Sequence, residues 1–260
     1  MKGLIGYTGF VGGNLRIQAS FDKLYNSRNI REIEGESFEL LVCSGAPAVK
    51  WKANQEPEAD RSNIEILMNH LKKVRCERLV LISTVDVYKS PLEVDEDTPI
   101  ETDALEPYGK HRRQLETFIA EQFPKVHIIR LPGLFGPGLK KNIIYDFMNE
   151  NLVQNIDCEH EFQFYNLERL YLDITKVIEN DLEIVNFSTE PVSVREVAKH
   201  AFDLDFANRT GKARIRYDMK TKFARLLNGG SMDHYLMSKS EQLDQIRDFV
   251  NQTGSGDPTK

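Results

Sequence analysis

The sequence predicts an α/β fold, a doubly wound parallel sheet with a small C-terminal substrate lobe, and three observations carry that prediction. A short apolar run at the amino terminus leads straight into glycines at Gly6, Gly9 and Gly12. Apolar runs of strand length then alternate with segments of helical period as far as residue 140, the pattern of strands connected by crossover helices. One of those runs, Arg78-Leu79-Val80-Leu81-Ile82, delivers the hydroxyls of Ser83 and Thr84 just past its end, where open parallel sheets bind their ligands. This is a Rossmann-type arrangement. Residues 1–140 are expected to form a dinucleotide-binding domain and 141–252 a small lobe whose interleaved strand returns to the sheet, with 253–260 a flexible tail.

The glycine spacing is GxxGxxG. Glycine at the first two positions permits a tight turn and a close approach of backbone to a diphosphate, and the third lets the following helix lie on the strand and aim its amides at the phosphates. After a first helix over Asn14–Ala19, the strand Lys23-Leu24-Tyr25 ends in Asn26-Ser27-Arg28. A carboxylate at this point would bond the 2′-hydroxyl of NAD. Asn26, Ser27 and Arg28 instead offer an amide, a hydroxyl and a guanidinium suited to a 2′-phosphate, so NADP is favoured over NAD, the other reading of Arg28 being a solvated loop charge.

Phe38–Cys43 reads as a buried strand followed by Ser44, Gly45 and Ala46, small enough for a flat cofactor to lie across. The stretch before it, Ile30–Gly35, is too short for a full crossover helix. Trp51, between Lys50 and Lys52, lies either above the cofactor cleft or, as the commoner case, on a surface loop. From Glu58 to Val74, Ile64, Leu67, Met68, Leu71 and Val74 recur at helical spacing. After the strand 78–82 comes an acidic, proline-bearing loop over Glu93–Glu106, then a helix opening at Tyr108. The strand Val126–Leu131 runs into an irregular loop, Pro132-Gly133-Leu134-Phe135-Gly136-Pro137-Gly138. The lobe is expected to carry helices around Asn142–Asn149, Arg169–Ile178 and Val194–Phe202, a segment Phe162–Leu167, a strand Glu183–Phe187 and a last helix after Ser240. Ser193 with Glu196 three residues on reads as a capping box. Lys140, Lys141 and Asn142 stand at a helix start, where they would either grip a substrate diphosphate or serve as a solvated cap.

The totals exclude several classes. A net charge of −6 and a pI near 5.6 argue against a nucleic-acid partner. The three cysteines, Cys43, Cys76 and Cys158, show neither a disulfide framework nor metal spacing, so no metal site is expected. No apolar run reaches membrane-spanning length and the first strand starts almost at Met1, so a soluble cytoplasmic protein with no membrane partner is expected.

A dinucleotide turn, a strand-end hydroxyl at Thr84 and a helical Tyr108 suit hydride-transfer chemistry, with the hydroxyls holding a substrate oxygen while the phenol moves its proton. A phenol near pKa 10 needs a neighbouring cation for that task. Arg112, one helical turn on, supplies one.

These residues resemble the motifs of the extended short-chain dehydrogenase/reductase superfamily, in its nucleotide-sugar-modifying branch. Thr8-Gly9-Phe10-Val11-Gly12 is similar to its TGxxGxxG fingerprint, Ser83–Tyr88 to its serine/threonine motif, Tyr108-Gly109 with Glu116 to its YGxSKxxxE helix, and Arg130–Pro137 to its RxxNxYGP loop. The likeness covers roughly residues 1–140 and, more loosely, Asn186–Phe202. It implies Tyr108 as acid/base with Thr84 and Arg112 beside it. It also implies cofactor contacts at Gly6, Thr8, Gly9, Phe10, Val11, Gly12, Ser83 and Pro132, and substrate contacts at Asp86, Gly133, Leu134, Lys141 and Asn142. A homodimer, and a nucleotide-sugar substrate undergoing reduction or epimerisation, follow from the same resemblance. The chain departs from the pattern at Arg112, where the family has lysine, at Val85-Asp86, where 4,6-dehydratases have Asp-Glu, and at Gly133, where the loop asparagine stands. The rival reading is a dinucleotide-binding sensor or partner protein without chemistry.

Overall fold

A computed structural model gives the structure and describes residues 1–254. In chain order the elements are β1 (Lys2–Ile5), α1 (Phe10–Gln18), β2 (Lys23–Tyr25), β3 (Ser37–Cys43), α2 (Lys50–Gln55), α3 (Pro57–Leu71) and β4 (Arg75–Thr84). There follow β5 (Leu92–Val94), α4 (Pro107–Gln122), β6 (Val126–Leu131), β7 (Gly133–Phe135), α5 (Ile143–Met148), β8 (Glu161–Phe162) and β9 (Phe164–Asn166). The last are α6 (Leu170–Glu179), β10 (Ile184–Asn186), β11 (Val192–Ser193), α7 (Val194–Phe202), β12 (Asp218–Met219), α8 (Ala224–Leu227) and α9 (Lys239–Gly254). Of the tail expected at 253–260, the first two residues close α9 and the rest lie outside the described residues.

The chain divides into two compact units. The first takes Met1–Lys89, Glu96–Leu131 and Arg169–Asn186. Its centre is a six-stranded sheet in the order β10-β6-β4-β3-β1-β2, parallel at every pairing. Strands buried on both faces read as continuous apolar runs, which is why Leu79–Ile82 and Leu40–Cys43 are legible as strands. Helices α3 and α4 pack together over one face, where Leu41, Leu79, Leu81, Ile64, Leu71, Leu115 and Ile119 form the core, while α1 packs with α6. Because β2 and β3 flank β1 on opposite sides, the winding reverses between β1 and β3, and parallel sheets open a ligand crevice at such a point.

The second unit takes Ser90–Asp95, Pro132–Glu168 and the described residues from Phe187 to the end of α9. It holds three two-stranded sheets and a core of Phe135, Ile144, Phe164, Val192, Val197, Ile246 and Phe249. The expected capping box is present: Ser193 accepts from the Glu196 amide, and Glu196 accepts from Ser193 N at 2.7 Å.

Four elements differ from expectation. The first helix starts at Phe10 rather than Asn14, because Gly12 and Gly13 lie inside its first turns, where tight packing against the Gly6 turn outweighs their poor helix propensity. Strand β4 begins at Arg75, with exposed Arg75 and Glu77 alternating with buried Cys76 at its edge. The segment around Trp51 is helical, and Trp51 is 65% exposed. Finally, the chain leaves the first unit at Leu131 rather than at residue 140, and both α6 and β10 belong to that unit. Proline at 132 ends the β6 ladder, and Gly133 pairs instead with Phe164 of β9.

Candidate active site

The glycine turn is built by contacts that exclude side chains. Gly6 has φ +88, and a β-carbon there would meet the Ser44 carbonyl oxygen at 2.4 Å. A β-carbon on Gly12 would sit 2.1 Å from Gly6 O, so α1 lies directly on the turn. Gly9 occupies the N-cap without a side-chain hydrogen bond, and no acid stands in the first turn of α1. Phe10 and Val11 therefore open a helix with neither an N-cap side-chain bond nor an acid in its first turn. That fits a pyrophosphate. Thr8 is exposed on the same turn.

The flanking strands end at the same edge. Ser44 N and Oγ both donate to Ile5 O, at 3.0 and 2.8 Å, which fastens the end of β3 to β1 and commits the hydroxyl to the fold. Ser44 therefore backs the turn, with Gly45 and Ala46 following. After β2, Asn26 Oδ1 accepts from Arg28 N at 2.8 Å and Asn29 Oδ1 from Asn26 N at 2.8 Å, so the asparagines shape the turn and leave Ser27 and Arg28 exposed.

A second group gathers where β4 ends and α4 begins. A β-carbon on Gly109 would lie 1.9 Å from Asp86 O, so the residue after Tyr108 has to be glycine for α4 to abut the turn after β4. Thr84 Oγ1 donates to Asp86 Oδ2 at 3.2 Å and accepts from Asp86 N at 3.2 Å, and Thr84 lies beside the Tyr108 phenol, whose ionisation it favours. Asp86, expected to meet substrate, is instead ion-paired with Lys50 Nζ at 2.5 Å. Asn54 of α2 accepts from the Tyr108 amide at 2.9 Å.

Arg112 requires a correction. Its guanidinium stacks over the Tyr108 ring, 3.9 Å from the centroid, but it is 3% exposed and grips the Asp60 carboxylate through both Nη1 and Nη2. Nη2 also donates to the Pro47 carbonyl, and His111 Nδ1 lies 2.7 Å from Asp60 Oδ2. Burial opposes ionisation of Asp60, yet the bonds from Arg112 and His111 outweigh it and hold the carboxyl below its ordinary range. The charge of Arg112 is thus already matched. Burial pushes the Tyr108 phenol up, Arg112 opposes this, Asp86 adds to it, and Lys50 and Thr84 oppose it; the outcome is a raised pKa, not the lowered one expected from Arg112.

Two further expectations change. Ser83 donates to Glu116 Oε1 at 2.6 Å in the interior, so its hydroxyl faces α4 and not a cofactor. The same buried carboxylate accepts from Arg130 Nε and Nη2 at 3.0 and 2.8 Å, and Arg130 Nη1 donates to Tyr88 at 2.7 Å. Glu116 and Arg130 hold α4 against the sheet, and so fix the height of Tyr108. In the second unit, Asn142 caps α5, accepting from Ile144 N and Tyr145 N while its Nδ2 donates to Leu134 O at 2.8 Å, so its side chain is spent on the fold. Gly133 pairs in β7, where a β-carbon would meet Gln163 O at 2.8 Å; Pro132 is buried beside it and Lys141 is exposed. Burial pushes the Cys43 thiol up to about 11, which makes it a small core residue.

Lys50, Asn54 and Asp60 escaped the sequence reading. For Asp60 a signal exists: it continues the Ile64, Leu67, Leu71 stripe one turn earlier, and a carboxylate on an apolar stripe demands a buried cation. Lys50 carries no such signal. Among the described residues no cluster of metal-ligand type and no helix long and apolar enough to cross a membrane is found.

No family model matches the chain, and no curated protein matches it in sequence. Solved structures do match. The UDP-glucose 4-epimerase of Thermotoga maritima, solved with UDP-glucose, is 16% identical over 98% of this chain and 100% of its own, with a TM-score of 0.69. A dTDP-4-dehydrorhamnose reductase from Clostridium acetobutylicum is 15% identical, covering 98% of this chain and 100% of its own at a TM-score of 0.72. The NAD-dependent NDP-hexosamine 5,6-dehydratase TunA, of tunicamycin biosynthesis, is 18% identical, covering 98% of each chain at 0.71. Likeness at these identities is one of fold. The chain has the Rossmann-type fold on which these nucleotide-sugar epimerases, reductases and dehydratases are built, the fold implied by its resemblance to extended short-chain dehydrogenases.

Proposed function

We propose that this protein is a nicotinamide-dinucleotide-dependent enzyme acting on a nucleotide-sugar, an oxidoreductase or epimerase in which Tyr108 is the acid/base and Thr84 polarises the reacting oxygen. The observation that carries the reading is the close seat of α1 on the glycine turn, where a β-carbon on Gly12 would lie 2.1 Å from Gly6 O, at the winding reversal of the sheet. Gly6, Gly9, Gly12 and the first turn of α1 would hold the pyrophosphate, and Gly45 and Ala46 would floor the adenine side. Bound there, the dinucleotide would accept or return a hydride. Thr84 and Tyr108, which lie side by side, would take a hydroxyl or carbonyl oxygen between them, the phenol giving or receiving its proton. Exposed Ser27 and Arg28 favour NADP over NAD. The nucleotide-sugar class is supported by the substrates in the names of the proteins that share the fold. A cytoplasmic homodimer completes the proposal.

The raised pKa of Tyr108 and the matched charge of Arg112 favour one other reading, a dinucleotide-binding sensor without turnover. One experiment separates them: reduced dinucleotide is mixed with keto-sugar nucleotides and its absorbance followed for wild type and Tyr108→Phe. An enzyme consumes the dinucleotide and loses at least about a hundredfold in rate in the variant. A sensor binds the dinucleotide and consumes none.

A further inference from the structure

Arg112 faces the Tyr108 ring but is fixed by Asp60, and α2 brings a second cation to the site. The segment 47–54 is fastened across the first turn of α4 at both ends, through the Pro47 carbonyl on Arg112 Nη2 and through Asn54 Oδ1 on the Tyr108 amide at 2.9 Å. Lys50 opens α2 between those fastenings. Its Nζ lies 2.5 Å from Asp86 Oδ1, while the other oxygen of Asp86 accepts from Thr84 Oγ1 at 3.2 Å, and Thr84 meets the phenol. Gly109 presses the start of α4 onto the Asp86 backbone, which keeps this chain of contacts short.

We propose that Lys50 is a second, movable positioning cation of this site: with Asp86 as its counter-ion, it biases the proton of Tyr108 alongside the fixed Arg112. The inference deepens the proposed function and rests on Tyr108 being its acid/base. Lysine suits the task. It is a compact charge on a flexible stem, and its side chain is 46% exposed, so it can shift from Asp86 toward a developing phenolate. Arg112, buried and bidentate on Asp60, cannot move in that way. The charged groups facing Tyr108 are Arg112 on its own helix, Asp86 after β4 and Lys50 on α2, with Asp60 of α3 and His111 behind Arg112. Burial and Arg112 weigh most on the phenol, and Asp86 and Lys50 adjust it further in opposite directions. An ion pair this exposed adds little to stability, so variants at Lys50 are expected to fold.

The test is a titration of the full chain, free of ligand, labelled with carbon-13 at tyrosine Cζ, with the Tyr108 signal identified by its loss in Tyr108→Phe. Lys50→Met is expected to raise the pH at which Tyr108 ionises by about one pH unit or more, Asp86→Asn to lower it, and Lys50→Arg to restore it toward wild type. A Lys50→Met signal still un-ionised where wild type has begun to titrate counts as the expected rise. If wild type also stays un-ionised over the pH range in which it remains folded, Asp86→Asn decides: it titrates within that range or the proposal fails. The same ionisation pH in wild type, Lys50→Met and Asp86→Asn overturns the inference. So does a Lys50→Met protein with weakened dinucleotide binding and an unmoved phenol, which would make Lys50 a ligand for the dinucleotide only. Either result leaves the proposed function standing, whereas a chain that binds no dinucleotide defeats that function whatever Tyr108 does.

Discussion

Asp60 shows how one side chain decides what another can do. Buried on the apolar stripe of α3, it claims both Nη atoms of Arg112 and thereby fixes in place the cation that lies over the Tyr108 ring. Asp60→Asn is expected to destabilise the protein by about 3–5 kcal/mol, because it strands a buried guanidinium. The double variant Asp60→Asn with Arg112→Met should recover part of that loss in denaturant unfolding. The sign of the pH dependence follows from the lowered pKa of Asp60. An unfolded Asp titrates near about 3.9, so the contribution is complete above that pH and drains as pH falls through the lower folded value. The gap between wild type and Asp60→Asn should therefore shrink below about pH 4. The places of Tyr108 and Thr84, at a helix start and a strand end, were readable in the sequence. Their electrical setting was not, since the Arg112–Asp60 and Lys50–Asp86 pairs join positions 52 and 36 residues apart, and no local pattern links them.

At the scale of elements, α4 is placed by two devices with different signatures. Gly109 brings its first turn onto the Asp86 carbonyl, and Glu116 with Arg130 and Ser83 ties its middle to β4 and β6. Gly109→Ala should cost about 1–3 kcal/mol of stability in denaturant, since a β-carbon 1.9 Å from a backbone oxygen forces helix and turn apart, and it should abolish turnover by moving Tyr108. Ser193→Ala offers a contrast in the second unit. Loss of its capping box should cost about 1 kcal/mol, seen as faster amide exchange in α7, with dinucleotide affinity unchanged. The strong periodicities were legible: the six-residue β6, the α7 cap and the apolar face of α3. Helix α2 was not, because six residues with a single buried alanine carry no period. Asn142 stood open between two readings for a related reason, as capping uses the same polar groups that would bind a diphosphate, and its side chain caps α5.

For the whole molecule, the winding reversal between β1 and β3 matters more than any single motif, because it sets the glycine turn, the end of β2 and the end of β3 along one crevice. That layout was visible in the order of strands and helices. The return of α6 and β10 to the first unit was visible only in part, since a strand's partner is not written in its own sequence. A fold shared with epimerases, reductases and a dehydratase cannot name the reaction. What the proposed function does commit to is a dinucleotide on the first turn of α1. Isothermal titration of NADPH and NADH into the full chain tests that commitment most directly. At least one should bind, with NADPH the tighter, and Gly12→Ala, whose β-carbon would lie 2.1 Å from Gly6 O, should abolish the binding heat. Folded wild-type protein that takes up neither dinucleotide would contradict the account.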